Sequence, residues 1–277
     1  MRTTDIAAAV PRWALTTGTL ITVAALAGCG STSSNGATPP TSNNSGRTAG
    51  VTVQLTSAEL AVNLKSTSNV TSAHITMSSK LGSQTVLTAQ GDEKAAGGKL
   101  TAMNLNEQIG LSNMTLLLTD GALYVKLPSK LNQSGKPWEK ATAGSSNPVL
   151  RQLASTLSSL EQSASLDQYG SMAQAASSLK TVGTEQVNGA AATHYTLIVD
   201  VAKVHGAGLT ESAKAALTQA GIRKIPVDVW VDGHNRPVKM SEKFTVQGQI
   251  VSTETTAGQF NQPVTITAPP ASQVSTK

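Results

Sequence analysis

The chain has one cysteine, Cys29, in 277 residues. A single thiol cannot form an internal disulfide, so the fold has to stand on its core alone. Aromatic residues make up only 3% of the chain, with two Phe, three Tyr and three Trp. The interior therefore has to be built from aliphatic and small side chains. Charge is sparse too, at 13%, and the net charge is +5 with no dense run of Lys or Arg. Without Arg clusters interleaved with aromatics, a nucleic-acid partner is excluded. The apolar stretch from Trp13 to Ala27 is too short to span a bilayer, which takes about 20 apolar residues. The four histidines (74, 194, 205 and 234) show neither H-x-x-x-H nor H-E-x-x-H spacing. There is no G-x-S-x-G elbow and no P-loop. Asp228, Asp232 and Glu242 lack the spacing of a calcium loop. These absences point away from an enzyme, and no metal or cofactor is expected.

What the N-terminus does contain is an export signal. Arg2 and Arg12 form a basic region, the stretch from Trp13 to Ala27 forms an apolar one, and Leu26-Ala27-Gly28-Cys29 closes it. That tetrapeptide matches a bacterial lipobox. Small residues let the chain thread a protease cleft, and the Cys29 thiol takes up a diacylglyceryl group. We read residues 1–28 as a cleaved lipoprotein signal peptide. Cleavage would remove Arg2, Arg12 and Asp5 and leave a net charge of about +4. Cys29 is the lipidation site, and its acyl chains place the protein on the extracytoplasmic side of the cell membrane. Residues 29–50 are rich in Ser, Thr, Asn, Gly and Pro and read as a disordered tether. Residues 51–277 are of ordinary size for one domain, expected to be monomeric.

That domain opens on a helix, with Thr56 and Glu59 at capping-box spacing ahead of Leu60 and Leu64. The period then falls to two. Ala73, Ile75 and Met77 alternate with polar residues, and Gly82-Ser83 turns the chain into Thr85–Ala89. Asp92 to Gly98 reads as the next break, and the pattern continues from Leu100 to Leu105 and through Ile109-Gly110-Leu111. Met114–Leu118 is nearly all apolar, as in a strand covered on both faces. Asp120-Gly121 is a hairpin signal before Ala122–Leu127. Lys130 to Ser146 reads as a polar loop. Pro148 opens a helix carrying Val149, Leu150, Leu153, Leu157 and Leu160, and a weaker helix spans Asp167 to Leu179. Strands resume at Thr181–Val187, turn at Asn188-Gly189, and return with Tyr195, Leu197 and Val199 on one face. A helix from Thr210 to Ala220 stops at Gly221. Ile225, Val227, Val229 and Val231 alternate cleanly. After Asp232-Gly233, Val238, Met240, Phe244 and Val246 share a face with Glu242. Gly248 leads into Ile250–Phe260. The order predicts an α+β domain, one large antiparallel sheet with helices on one face.

Glu242 breaks the local apolar pattern. It is read as a sheet-rim residue or a Lys partner, with a cavity mouth or a ligand head group as the alternative. His194 is read as a sheet-face residue and His234 as a loop residue.

Ala122-Leu123-Tyr124-Val125-Lys126 followed by Lys136-Pro137-Trp138 resembles a segment of actinobacterial lipoproteins of the LppX/LprG type. Gly183-Thr184-Glu185-Gln186-Val187-Asn188-Gly189 running into Thr193-His194-Tyr195 resembles their second hairpin. Asp228–Asp232 and Pro263–Pro270 resemble their closing strands, and the whole stands in the same order behind the same lipobox. The resemblance implies a LolA-like half-barrel, a curved antiparallel sheet with helices packed on its concave face around an apolar cavity. It also implies a lipoprotein that binds acyl chains of a lipid or lipoglycan and carries or presents it across the periplasmic space, with a membrane transporter as candidate partner. The apolar positions it points to for the ligand are Leu123, Val125, Leu153, Leu157, Leu197, Val199, Val227, Val229, Val231, Met240 and Phe244. The alternative is an envelope sensor or regulator that binds a protein through the same sheet.

Overall fold

The computed structural model describes residues 55–65, 70–97, 99–163, 167–205, 209, 211–246 and 248–275. The signal segment, Cys29, the tether, the cap at Thr210 and the side chain of Leu160 lie outside them. The first helix, α1 (Ser57–Lys65), starts where the capping box places it. Glu59 N–H donates to Thr56 Oγ1 at 3.2 Å, and Thr56 N–H donates to the Glu59 carboxylate at 2.7 Å. Two otherwise unsatisfied N–H groups are thereby paired.

The strands β1 (Ser72–Leu81), β2 (Gln84–Ala96), β3 (Lys99–Ile109), β4 (Ser112–Thr119), β5 (Ala122–Lys126) and β6 (Trp138–Lys140) form the first meander. After α2 (Pro148–Ser163) and α3 (Asp167–Gln174) come β7 (Ala176–Val187) and β8 (Ala190–Asp200). Then follow α4 (Glu211–Gln219), β9 (Lys224–Asp232), β10 (Pro237–Val246), β11 (Gln249–Gly258) and β12 (Val274–Ser275). All twelve strands belong to one sheet in the order β12-β6-β5-β4-β3-β2-β1-β11-β10-β9-β8-β7. The two meanders are joined by the antiparallel pairing of β1 with β11, and β12 alone runs parallel to its neighbour, β6. The α+β expectation holds.

Local chemistry explains most joints. Asp120-Gly121 and Asn188-Gly189 both have positive φ at the two turn positions, as tight hairpins need. Pro148 is the first residue of α2, and Asn147 Oδ1 accepts the Val149 N–H at 3.0 Å. Five register shifts break the ladders, between Ser79/Lys80, Lys94/Ala95, Ala176/Ser178, Thr181/Gly183 and Pro237/Lys239. Such bulges bend strands and coil a sheet. Gly91 marks a close approach of β2 to β3, since a Cβ there would stand 1.9 Å from the Asn104 carbonyl oxygen.

Several boundaries differ from the sequence reading. Asp92 lies inside β2, where its carboxylate meets His74 Nδ1 at 2.7 Å. Gly110-Leu111 is a turn, with Leu111 fully exposed. Trp138–Lys140 is a strand, because it finds a partner in β5. α3 stops at Gln174, and Ala176 pairs with Val199 instead. A weak helical signal yields there to the hydrogen bonding offered by β8. Val238 sits in the bulge at the start of β10 and packs with Val187, Ala192 and Trp230, apart from Met240 and Phe244.

The inner face carries two separate cores. Over β8–β10, α1, α3 and α4 bury Leu60, Leu64, Met172 and Leu217 against Leu197, Val227 and Val229. Over β3–β5, α2 buries Leu150 and Leu153 against Met103, Leu116, Leu123 and Val125. On β4, Leu116, Leu117 and Leu118 are all buried, so this strand is covered on both faces as its composition suggests.

Candidate functional site

The eleven apolar candidates divide between the two cores. Leu197, Val199, Val227, Val229, Val231, Met240 and Phe244 belong to the first. Leu123, Val125 and Leu153 are fully buried in the second, with Leu157 packed at its side. The structure does not bring the two sets together. Leu197, Val199, Val227, Val229 and Met240 do line one crevice, closed from above by Leu64, Tyr169 and Met172. Its non-atom space is about 230 Å³ and is nowhere wide enough for a water molecule. Ligand pockets span about 300–1,000 Å³, so this crevice is closed in the conformation described.

Between the cores lies a stretch of the same face that carries none of the main helix packing among the described residues. The closest helix packing is α2 on β3 and β5, and α1 and α3 on β7 and β8. β2, β1 and β11 form the floor between. The register across it runs Met240–Thr255–Met77–Ala89–Glu107, and in the next row Glu242–Thr253–Ser79–Leu87–Ile109. Ile75, Met77 and Leu87 are only half-buried and belong to neither core. We call this strip the trough.

Each wall of the trough carries a buried glutamate. Glu107 on β3 is 2% exposed and Glu242 on β10 is 1% exposed. Among the described residues neither oxygen of either carboxyl has a hydrogen-bond partner. Burial raises Glu107 to about 8 and Glu242 to about 7, because a lone charge is disfavoured away from water. Glu242 is therefore neither at a sheet rim nor paired with a Lys. Glu107 escaped the sequence reading, although the same signal was present: it interrupts Met103, Leu105 and Ile109 on one strand face. Glu93 on β2 adds a carboxyl at the end of the trough beyond Gly91, and Glu139 on β6, opposite Val125, is a further buried one outside the trough.

The outer face around His194 is different, because its polar groups are matched. The His194 ring stacks on Trp230 with centroids 4.1 Å apart. Its Nδ1 lies 2.8 Å from Glu185 and its Nε2 2.9 Å from Asp228. Trp230 Nε1–H donates to Glu185 at 2.7 Å, and that bond, followed by the one from His194, lowers the Glu185 pKa. Lys239 pairs with Glu254 at 2.8 Å beside the Trp230 ring. A network this complete locks the sheet face and leaves His194 no free nitrogen. Asp232 accepts N–H bonds from His234 and Arg236, as a turn residue does. Among the described residues no group of His, Cys, Asp and Glu could hold a metal ion, and no helix is long and apolar enough to cross a membrane.

The architecture is thus one long, bulged antiparallel sheet with helices over the two flanks of one face. No family model and no curated protein matches the chain. Solved structures similar to it include the Mycobacterium tuberculosis lipoprotein LppX, 18% identical, covering 75% of this chain and 98% of that one with a TM-score of 0.49. LprF from Mycobacterium bovis is 14% identical, covering 77% of this chain and 96% of that one, also at 0.49. A chain of the Pseudomonas aeruginosa MucA/MucB complex is 13% identical, covering 78% and 59%, at 0.36. LppX and LprF are of the LppX/LprG type that the sequence motifs resemble.

Proposed function

We propose that this protein is a non-catalytic lipoprotein of the cell envelope, anchored by lipid on Cys29 on the extracytoplasmic side. Its domain binds acyl chains of a lipid or lipoglycan on the inner sheet face and carries or presents them across the periplasmic space, with a membrane transporter as partner. The observation that carries this reading is the trough, where Ile75, Met77 and Leu87 remain half-buried outside both packed cores. Covering them with an alkyl chain removes apolar surface from water, worth about 25 cal/mol per Å². The neighbouring crevice at Leu197, Val199, Val227, Val229 and Met240 is the route by which a chain would extend beneath α1 and α3, once those helices lift.

The test is native mass spectrometry of the purified mature chain, with Met77→Trp and Val125→Trp as a pair. Met77→Trp fills the trough, and is expected to expel co-purified lipid at little cost in stability. Val125, 0% exposed in the second core, has no such room, and its Trp variant is expected to lose about 1–3 kcal/mol or more. Absence of lipid from the wild type and heavy destabilisation by both variants would refute lipid binding. One observation favours the second reading, an envelope sensor that binds a protein through the sheet: the crevice is too narrow even for water. The same experiment separates the two.

A further inference from the structure

The trough presents a chemical demand as well as an apolar floor. A carboxyl group offers two acceptor oxygens, and in Glu107 and Glu242 all of them are shut from water with no protein donor in reach. Buried polar groups are almost always satisfied, and an orphan in a folded protein calls for an explanation. Glu107 and Glu242 sit on opposite walls, one strand beyond the floor on each side. Four strand steps separate them, roughly 19 Å along the sheet at about 4.8 Å per step. They are therefore two separate points on one face.

We propose that the trough takes an amphiphile with an alkylammonium head, which places its N–H donors on Glu107 or Glu242 while its chain covers Ile75, Met77 and Leu87. This rests on the lipid-binding reading and narrows it to one head-group class. An ammonium supplies both things a buried carboxylate lacks, an opposite charge and hydrogen-bond donors. A phosphate, sulfate or carboxylate head brings no donor: it meets at most the acid proton of the neutral carboxyl, leaves the other oxygen unmatched, and repels the ionised form. The two walls give one chain two equivalent orientations across the floor. Thr255, between Met240 and Met77 in the register, adds a hydroxyl that is likewise buried and unpartnered. With no ligand in place, burial holds Glu107 and Glu242 above the ordinary carboxyl range. A cation alongside returns them to the ionised form.

The experiment uses the mature chain from residue 29 with Cys29→Ser, at pH 7. Decylamine, decanol and decyl sulfate are titrated below their micelle concentrations, and binding is read by calorimetry. Decylamine is expected to bind about tenfold or more tighter than decanol, the scale of a hydrogen bond to a charged group. Decyl sulfate is expected to bind weakest. The mature chain carries a net charge of about +4, so unspecific attraction would favour the sulfate instead. In the double variant Glu107→Gln/Glu242→Gln, decylamine falls to the affinity of decanol, and decanol itself is unchanged. Equal binding of all three probes to the wild type overturns the head-group assignment and leaves lipid binding standing. Binding of none overturns both. A double variant that keeps its preference for decylamine also overturns the assignment. If circular dichroism shows that variant unfolded, the wild-type ranking of the three probes decides alone.

Discussion

The two wall glutamates make the stability of the unliganded protein depend on pH in a definite direction. In the unfolded chain both carboxyls titrate near 4.5, and in the folded protein near 8 for Glu107 and 7 for Glu242. Folded-state values above the unfolded ones mean that the native state holds these protons more tightly. The associated stability is fully present below about pH 4.5 and is lost as pH rises through 7 and 8. At about 1.36 kcal/mol per tenfold in proton affinity, the loss is of order 5 kcal/mol for Glu107 and 3 kcal/mol for Glu242. Domains have only about 5–15 kcal/mol in total, so this is a large share. Glu93, which burial also raises to about 7, is common to the wild type and the variant and so drops out of the difference between them. Urea unfolding followed by circular dichroism at pH 5, 6, 7, 8 and 9 measures the effect. The wild type is expected to lose several kcal/mol across that range. Glu107→Gln/Glu242→Gln should lie within about 2 kcal/mol of it at pH 5 and be clearly more stable at pH 9. Because the histidines and surface charges are common to both proteins, the difference between the curves isolates the two carboxyls. Parallel curves from pH 5 to 9 would refute the reasoning.

Three other perturbations test the frame around the site. Gly91→Ala drives a methyl group into the Asn104 carbonyl and is expected to cost about 3 kcal/mol or more by urea unfolding, since backbone must shift to admit it; a near-neutral result would mean that β2 and β3 are not held so close. Thr56→Ala removes one half of the capping box of α1 and should lower stability by about 1 kcal/mol, an effect absent if the helix start is set by packing alone. Cys29→Ala is expected to move the full-length protein from the detergent phase to the aqueous phase, and its retention as a mature, detergent-partitioning form would count against the lipid anchor.

How much of this could be read beforehand follows from which forces act locally. Thr56 with Glu59, Asp120-Gly121, Pro148 and Asn188-Gly189 each act within a few residues, and each does in the structure what its spacing implies. Alternation at Ile225, Val227, Val229 and Val231 likewise names a buried strand face, because one-sided burial demands period two. The misread segments are those decided by a distant partner. Trp138–Lys140 looks like loop until β5 and β12 take up its backbone groups. Ala176 to Leu179 looks helical until β8 offers a full ladder. Val238 has the right parity for the inner face, but a bulge carries it to Trp230.

The site itself was the least legible part, for a reason that concerns sheet order. Periodicity reports which residues share a face, and it correctly groups Met77 with Ile75 and Val229 with Val227. It does not report that β1 pairs with β11, and only that pairing sets two cores apart with β2, β1 and β11 between them. The apolar candidates chosen for clean alternation, such as Val125 and Val227, are fully buried. The half-buried positions are instead those whose strands mix apolar and small polar residues, Ile75, Met77 and Ser79 on β1. A strand meant to be packed under a helix has no use for Ser79 or Thr253 on its inner face, nor for an unpaired Glu107 or Glu242 beside it. On the proposed reading, that mixture of half-satisfied polarity and incomplete burial marks the floor of a ligand site rather than a core, a place where simple patterning rules are broken as on a binding surface.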